Sequence, residues 1–253
     1  MSFTDFLFFG GYDGAISLCL DRISKGKQTK IFTPNAEMIC VASKEDKIMK
    51  LLSGADIALP DGIGVYLGTK MLNIYPYERT NGIDLAERLL KIAEDNRLKV
   101  FLLGAKDGVA ERAASGLTER FPKLLISGTH HGYFDKKGEE NERITDEINR
   151  SRADILFVCL GFPEQEKWID ENLSRLKNVK VAMGLGGSID VWSGDVARAP
   201  VIFRKIGLEW LWRLALSPQR IARLPSLFRF ATLCVRQKAK IHIKSVRNLL
   251  QNR

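Results

Sequence analysis

The segment at residues 154–168 reads DILFVCLGFPEQEKW, and it decides the fold. Its six consecutive apolar residues, Ile155–Leu160, predict a strand that is covered on both faces, as strands of parallel sheets are. A Gly-Phe-Pro turn at residues 161–163 ends this strand, and the polar residues 164–166 fall in the first turn of the next helix. Open α/β sheets bind ligands at such carboxyl ends of strands. Alternatively, the acids here only complement the helix macrodipole.

The same strand–turn–helix pattern recurs along the chain. Further strands are predicted at Lys30–Phe32, Ile57–Leu59, Lys99–Leu103 and Val179–Met183. Helical segments of ten or more residues separate most of these strands, and one of them is predicted at Asp107–Phe121. We therefore expect an α/β fold with a largely parallel, Rossmann-like sheet and helices on both faces. A chain of 253 residues is long enough for one such domain with an extension.

Cysteine and histidine usage predicts neither disulfides nor a metal site. The four cysteines lie far apart without a C-x-x-C pair, which is typical of a reducing cytoplasm. His130 and His131 are adjacent and lack a third ligand at metal spacing. The N-terminus does not resemble a signal peptide, and no apolar run approaches the ~20 residues of a membrane span. We expect a cytoplasmic protein that is not threaded through a bilayer.

The positive charge is concentrated at the C-terminal end. From Arg198 onward the chain has thirteen basic residues and one acid, Glu209, so the overall net charge of +9 belongs to this segment. Large apolar residues alternate with the basic ones at helical spacing, as in helices that lie in a membrane interface. We predict a catalytic core at residues 1–197 and a basic amphipathic helical appendage at 198–253. Two alternatives remain: helices packed on the core with a solvated basic face, or a nucleic-acid surface, although no known nucleic-acid motif is present.

The glycine-rich segment at residues 184–188 indicates how a diphosphate could be bound. It begins like a dinucleotide fingerprint, but Ile189 stands where the third glycine is needed, which disfavours an NAD-dependent oxidoreductase. A glycine loop that leads into a helix can still bind a diphosphate through its N–H groups. Because the chain has no D-x-D pair, we expect no metal and no cofactor, with arginines and helix dipoles neutralising the diphosphate.

An ordered set of motifs resembles the WecG/TagA/CpsF glycosyltransferase family, bacterial enzymes that add an N-acetylmannosamine-type sugar to a lipid-linked acceptor. The resemblance extends from about Ile31 to Leu224. Its motifs are Thr33–Glu37, Pro60–Val65, Glu78-Arg79 with Gly82 and Asp84, His131–Phe134, Gly161–Glu166, Gly186–Asp190, Arg198-Ala199-Pro200 and Glu209–Arg213.

The resemblance implies an inverting, metal-independent transferase. It would move N-acetylmannosamine or its uronic acid from UDP to undecaprenyl-diphosphate-linked N-acetylglucosamine in cell-surface polymer synthesis, such as that of teichoic acid. The implied partners are a UDP-sugar, a polyprenyl-diphosphate-linked acceptor and the anionic inner face of the cell membrane, with no nucleic acid; a homo-oligomer is possible. The alternative is a non-catalytic nucleotide- or nucleic-acid-binding module with a basic tail.

Three residues at strand ends are candidates for the chemistry. Asp61 lies between Pro60 and Gly62 and is the best candidate for the base that removes the acceptor proton. Alternatively, it is an ordinary turn or cap aspartate. Thr33 and Asn35 follow an equivalent strand and are predicted to bind sugar or acceptor hydroxyls, although T-P-N is also ordinary turn chemistry.

Further residues are predicted to bind substrate. Arg79 could pair bidentately with phosphate, and Gln165 could bind sugar hydroxyls or an amide. Gly186 and Gly187 would offer N–H groups, while Asp190 would orient their loop or contact the nucleotide. The structural alternatives are a surface salt bridge for Arg79, an exposed helix-start position for Gln165 and a helix cap for Asp190.

The appendage supplies the last candidates. The resemblance implies that it folds over the active site, with Arg213, Arg220 and Arg223 offering cations to the diphosphate. Ser217 and Pro218 predict an N-cap and first position of a helix, which places Arg220 and Arg223 on one face. Contact with lipid headgroups is the alternative role for each arginine.

Overall fold

Six parallel strands form one sheet in the order β2-β1-β6-β5-β3-β4, which confirms the predicted α/β fold. The computed structural model describes residues 2–216 and 224–251. The strands are β1 Thr29–Phe32, β2 Ile57–Ala58, β3 Lys99–Gly104, β4 Leu125–His130, β5 Ile155–Cys159 and β6 Val181–Gly184.

The described helices lie before, between and after these strands. They are α1 Gly11–Ser24, α2 Ala36–Ala42, α3 Asp46–Ser53, α4 Gly62–Met71, α5 Gly82–Asn96, α6 Val109–Arg120, α7 Gly138–Ser151, α8 Glu164–Asn172, α9 Ser188–Trp192, α10 Val201–Ile206, α11 Glu209–Leu216 and α12 Leu224–Gln251. In the part of the chain that the structure describes, no helix is both long and apolar enough to cross a bilayer.

The strand that decided the fold lies in the middle of the sheet. All five residues of β5 are buried. Ile155 and Phe157 join the core cluster on one face of the sheet, while Leu156 and Val158 join the cluster on the other. This two-sided burial explains the continuous apolar run.

Strand β4 is missing from the sequence prediction. It pairs with β3 at the edge of the described sheet, and its residues are partly or largely exposed. An edge strand needs no continuous apolar run, so LISGTH lacks that signal. Gly128 is required by close packing, because a Cβ there would lie 2.5 Å from the ring of Phe101.

Helix α12 packs on the core through one face. Phe230 and Cys234 are buried against α2 and α4, in a cluster that also contains the N-terminal residue Phe3. Gly68 of α4 permits this approach, because a Cβ there would lie 2.5 Å from the Phe230 ring. Two residues away, Phe228 is 76% exposed. The appendage therefore packs on the core and also presents apolar side chains outward, while its boundary at residue 198 stays a prediction.

Candidate active site

The turns that follow β1, β2 and β6 meet at the carboxyl edge of the sheet. The Thr33 hydroxyl donates to the carbonyl of Gly184 at 3.2 Å. The backbone N–H of Asp61 donates to the carbonyl of Pro34 at 3.0 Å. Since β1 is flanked by β2 and β6 in a parallel sheet, the three turns are necessarily neighbours.

A cavity of about 690 Å³ lies over these turns. One wall is polar and comes mainly from the strand ends and the loop before α5. The other is largely apolar and comes from helices α4, α11 and α12. The polar wall includes Thr33, Asn35, Glu37, Asp61, Arg79 and Asn81. The apolar wall includes Leu67, Met71, Leu214, Leu227 and Phe230.

Asp61 is held by the neighbouring loop and not by its own helix. It occupies the N-cap position of α4, yet its side chain makes no capping hydrogen bond there. Instead, Oδ1 accepts from the backbone N–H of Gly82, the first residue of α5, at 3.0 Å. The next residue, Gly62, has a φ of +84° and donates its N–H to the carbonyl of Thr80 at 2.9 Å. The carboxylate thus lies on the cavity wall in a defined orientation.

Thr33 and Asn35 lie on the same wall and also have structural roles. The buried Thr33 side chain packs closely against Gly82, where a Cβ would lie 3.0 Å from its methyl group. Asn35 Oδ1 accepts from the N–H of Met38 at 3.1 Å and so caps α2. Asn35 therefore has a local structural role as the cap of α2, and its amide nitrogen is the group left to consider for substrate.

Arg79 connects the polar wall to the helices that cover it. Its guanidinium lines the cavity and donates to the backbone carbonyl of Arg204 in α10. The turn after α10 contains Gly207 at φ +83°, where a Cβ would lie 2.5 Å from Arg79 Nη1. Arg79 therefore holds the turn between α10 and α11 against the core.

Gln165 lies behind the glycine loop. Its side chain is buried, Oε1 accepts from the N–H of Gly186 at 2.8 Å, and Nε2 donates to Glu166 at 2.8 Å. Among the described residues that line the cavity, Gln165, Gly186, Gly187 and Asp190 are absent. Their direct contact with substrate stays a prediction, and the observed role of Gln165 is to hold the loop at Gly186, which has φ +55°.

Glu166 is a buried acid that the sequence interpretation missed. It is fully buried, and its Oε2 has no hydrogen-bond partner among the residues that the structure describes. Burial raises the pKa of the Glu166 carboxyl from 4.5 to about 7. The sequence placed it only as an acid in the first helical turn; the apolar Ile169, three residues on, marks the same helical face as buried.

Residues 10–244 match the profile of the Glycosyl transferase WecG/TagA/CpsF family. The chain belongs to this family. Two relatives from Staphylococcus aureus are named N-acetylglucosaminyldiphosphoundecaprenol N-acetyl-beta-D-mannosaminyltransferase. The protein of strain MRSA252 is 38% identical over 211 residues, and that of strain NCTC 8325 is 37% identical over 211 residues. Each match covers 83% of this chain and 81% of the relative.

Membership in the family identifies the protein as a glycosyltransferase, as predicted, rather than a non-catalytic binding module or an oxidoreductase. Within residues 2–216 and 224–251, no three His, Cys, Asp or Glu side chains are grouped as metal ligands are.

The structure describes one of the three predicted tail arginines. Arg213 belongs to α11, where the flanking residues Trp210 and Leu214 line the cavity. Arg220 and Arg223 lie outside the described residues, as do Ser217 and Pro218. The roles of the three arginines therefore stay predictions.

Proposed function

We propose that this glycosyltransferase is inverting and metal-independent, and that it moves N-acetylmannosamine or its uronic acid from UDP to undecaprenyl-diphosphate-linked N-acetylglucosamine in bacterial cell-surface polymer synthesis. The observation that carries the proposal is the cavity itself. A carboxylate, Asp61, lies with the Thr33 hydroxyl and Asn35 on one wall, and an apolar helical wall stands on another side.

The acceptor proposal is supported by the two walls together with the relatives' names. Those names describe transfer to a diphosphoundecaprenol that bears N-acetylglucosamine. Such an acceptor has polar sugar and diphosphate groups joined to a long apolar chain. We place the sugar beside Asp61 and the first part of the lipid along Leu67, Met71 and Phe230, where burial stabilises by about 25 cal/mol per Å² of apolar surface.

The chemistry assigned to the polar wall is a single displacement. As the acceptor oxygen bonds to the anomeric carbon, its proton passes to Asp61 and the bond from that carbon to UDP breaks. The Gly82 N–H on Oδ1 orients the carboxylate for this step. A positioned base of this kind contributes typically ~10²–10⁴-fold.

The leaving diphosphate is assigned to cations and backbone N–H groups of this chain. Arg79 lines the cavity, and the tail arginines Arg213, Arg220 and Arg223 are proposed to complete the positive environment. In the glycine loop, the Gly186 N–H already donates to Gln165, so the N–H of Gly187 is the donor assigned to the diphosphate. In this account neither a metal nor a cofactor is required.

The exposed side chains of α10 and α12 support a location at the membrane. Seven large apolar side chains of α10 and α12 are exposed on helices that also carry basic residues; they are Val201, Ile202, Ile206, Phe228, Val235, Ile241 and Ile243. Apolar residues interleaved with cations favour the interface of an anionic membrane, where each basic group contributes roughly 1 kcal/mol. We propose a peripheral position on the cytoplasmic face, where closure over a lipid-linked acceptor would couple membrane binding to turnover.

Release of UDP tests the proposal. The full-length protein is given a panel of UDP-sugars with a short-chain polyprenyl-diphosphate N-acetylglucosamine. We expect release only when both an N-acetylmannosamine-type donor and the acceptor are present, and the same rate in EDTA. A strict requirement for Mg²⁺ or Mn²⁺ would refute metal independence. Salt-sensitive nucleic-acid binding without UDP affinity would instead support the binding-module alternative.

A further inference from the structure

Arg198 joins the segment before α10 to the first turns of α5. Its side chain is only 18% exposed. Nη2 donates to Asp84 Oδ1, and Nη1 donates to Glu87 Oε2 at 2.9 Å. Both acids belong to α5 and lie one turn apart, and the two Nη groups of the planar guanidinium reach one acid each. The ion pair therefore fixes the N-terminal end of α5.

The second oxygen of Asp84 extends this contact toward the cavity. Oδ2 accepts from Asn81 Nδ2 at 3.3 Å and from the Tyr12 hydroxyl at 3.4 Å. The same Tyr12 oxygen accepts from the backbone N–H of Asn81 at 2.9 Å. Burial first, and then the Asp84 carboxylate, raise the pKa of Tyr12, so the phenol keeps the proton that it donates. Asn81, the residue before α5, is thus held through both its side chain and its backbone.

The next residue along the chain is Gly82, whose N–H holds the Asp61 carboxylate at 3.0 Å. A continuous path of contacts therefore runs from Arg198 through Asp84 and Asn81 to Asp61. Neither Arg198 nor Asp84 is among the described residues that line the cavity. Their contacts reach the cavity wall at the start of α5, through Asn81 and Gly82.

We propose that Asp84 and Arg198 are positioning residues for the base: they fix the start of α5 so that the Gly82 N–H holds Asp61 in its reactive orientation. The inference rests on the proposed function, because it takes Asp61 as the base. It adds two residues that act without touching the substrate.

Three variants test the path in the full-length protein. Asp84→Asn keeps the shape of the side chain but removes the ion pair, and it should lower kcat about tenfold with little change in donor KM, since a displacement of ~1 Å costs up to ~10²-fold. Arg198→Lys keeps the charge but not the fork, and it should lower kcat by less. Asp195→Asn is the control. Asp195 lies three residues before Arg198 and forms an exposed ion pair with Arg112. Loss of this ion pair should leave kcat unchanged.

The decisive measurement repeats Asp84→Asn in an Asp61→Asn background, with single-turnover rates and melting temperatures for every variant. A residue that acts by positioning Asp61 causes no further loss when the base is absent. An equal fold-loss in both backgrounds would show a general structural role and overturn the inference. If Asp61→Asn alone turns over at the wild-type rate, the base assignment fails, and this inference fails with it. Arg198→Lys carries the same test if Asp84→Asn does not fold.

Discussion

The two walls of the cavity differ in how they are held. The polar wall stands on strand ends that backbone hydrogen bonds join across the sheet, such as the one from Asp61 to Pro34. The apolar wall is held by side chains, chiefly Phe230 against α4 and Arg79 against the turn after α10. Backbone hydrogen bonds keep the strand ends in place when a side chain changes, whereas one side-chain change can release a packed helix. The start of α5, which the side chains of Asp84 and Arg198 hold, is the exception on the polar wall. This difference suits the polar wall to the chemical step and the helices of the apolar wall to adjustable covering of the site.

Substitution of the proposed base, Asp61, should have the largest effect on turnover, and it tests whether the chemical step takes place on the polar wall. Asp61→Asn keeps the size and the hydrogen bond from Gly82 but removes the basic lone pair. We expect kcat to fall by roughly 10²-fold or more while donor affinity, measured by calorimetry, changes little. Turnover near that of the wild type would eliminate Asp61 as the base.

Helix α12 offers a matched pair for the apolar wall. Phe230 is 3% exposed and Phe228 is 76% exposed, two residues apart on one helix. Phe230→Ala should lower the free energy of unfolding by about 3 kcal/mol through lost burial and a cavity, whereas Phe228→Ala should change it by less than about 0.5 kcal/mol. Chemical denaturation measures both. Equal effects would mean that α12 does not pack on the core as described.

Substitution of the tail arginines tests whether the appendage only anchors the protein to the membrane or also takes part in the reaction. Alanine at Arg213, Arg220 or Arg223 should lower kcat about ten- to a hundred-fold on a soluble acceptor analogue, because a charge-assisted contact contributes ~1.5–3 kcal/mol. The control is Arg236→Ala, an exposed arginine of α12. If all four variants retain full activity on the soluble analogue, the arginines serve membrane contact alone.

The buried Glu166 carboxyl should have a smaller effect, on the stability of the protein and not on turnover. Its pKa is about 7 in the folded protein against 4.5 ordinarily. Between these values the unfolded chain has released a proton that the folded chain retains, so this carboxyl makes folding less favourable as pH rises, and the full cost is reached above pH 7. Relative to Glu166→Gln, the wild type should lose up to about 2–3 kcal/mol between pH 4.5 and 8. Parallel pH profiles of the two proteins would contradict the burial argument.

The sequence predicted what depends on local pattern and on parallel-sheet geometry. The central strands appear as apolar runs because both faces are covered, and Asp61 and Thr33 meet because the carboxyl ends of neighbouring parallel strands share an edge. Strand β4 was not predicted, because an edge strand needs no continuous apolar run.

Contacts between distant residues could not be predicted in the same way. Gln165 appears in sequence as a polar helix start, and nothing local shows that Gly186 and Glu166 occupy both ends of its amide. Arg198 and Asp84 are 114 positions apart. The amphipathic pattern of the tail indicated helices, but not that Phe230 would face inward and Phe228 outward.

The anomeric configuration of the product tests the central claim most directly. If Asp61 acts as a base on the acceptor hydroxyl, attack occurs on the face opposite the departing UDP. An α-linked donor then gives a β-linked product, which NMR of the isolated disaccharide-lipid would show. The account predicts complete inversion. A product with retained configuration would contradict it, because retention by double displacement requires a nucleophile that forms a glycosyl-enzyme intermediate in place of a base.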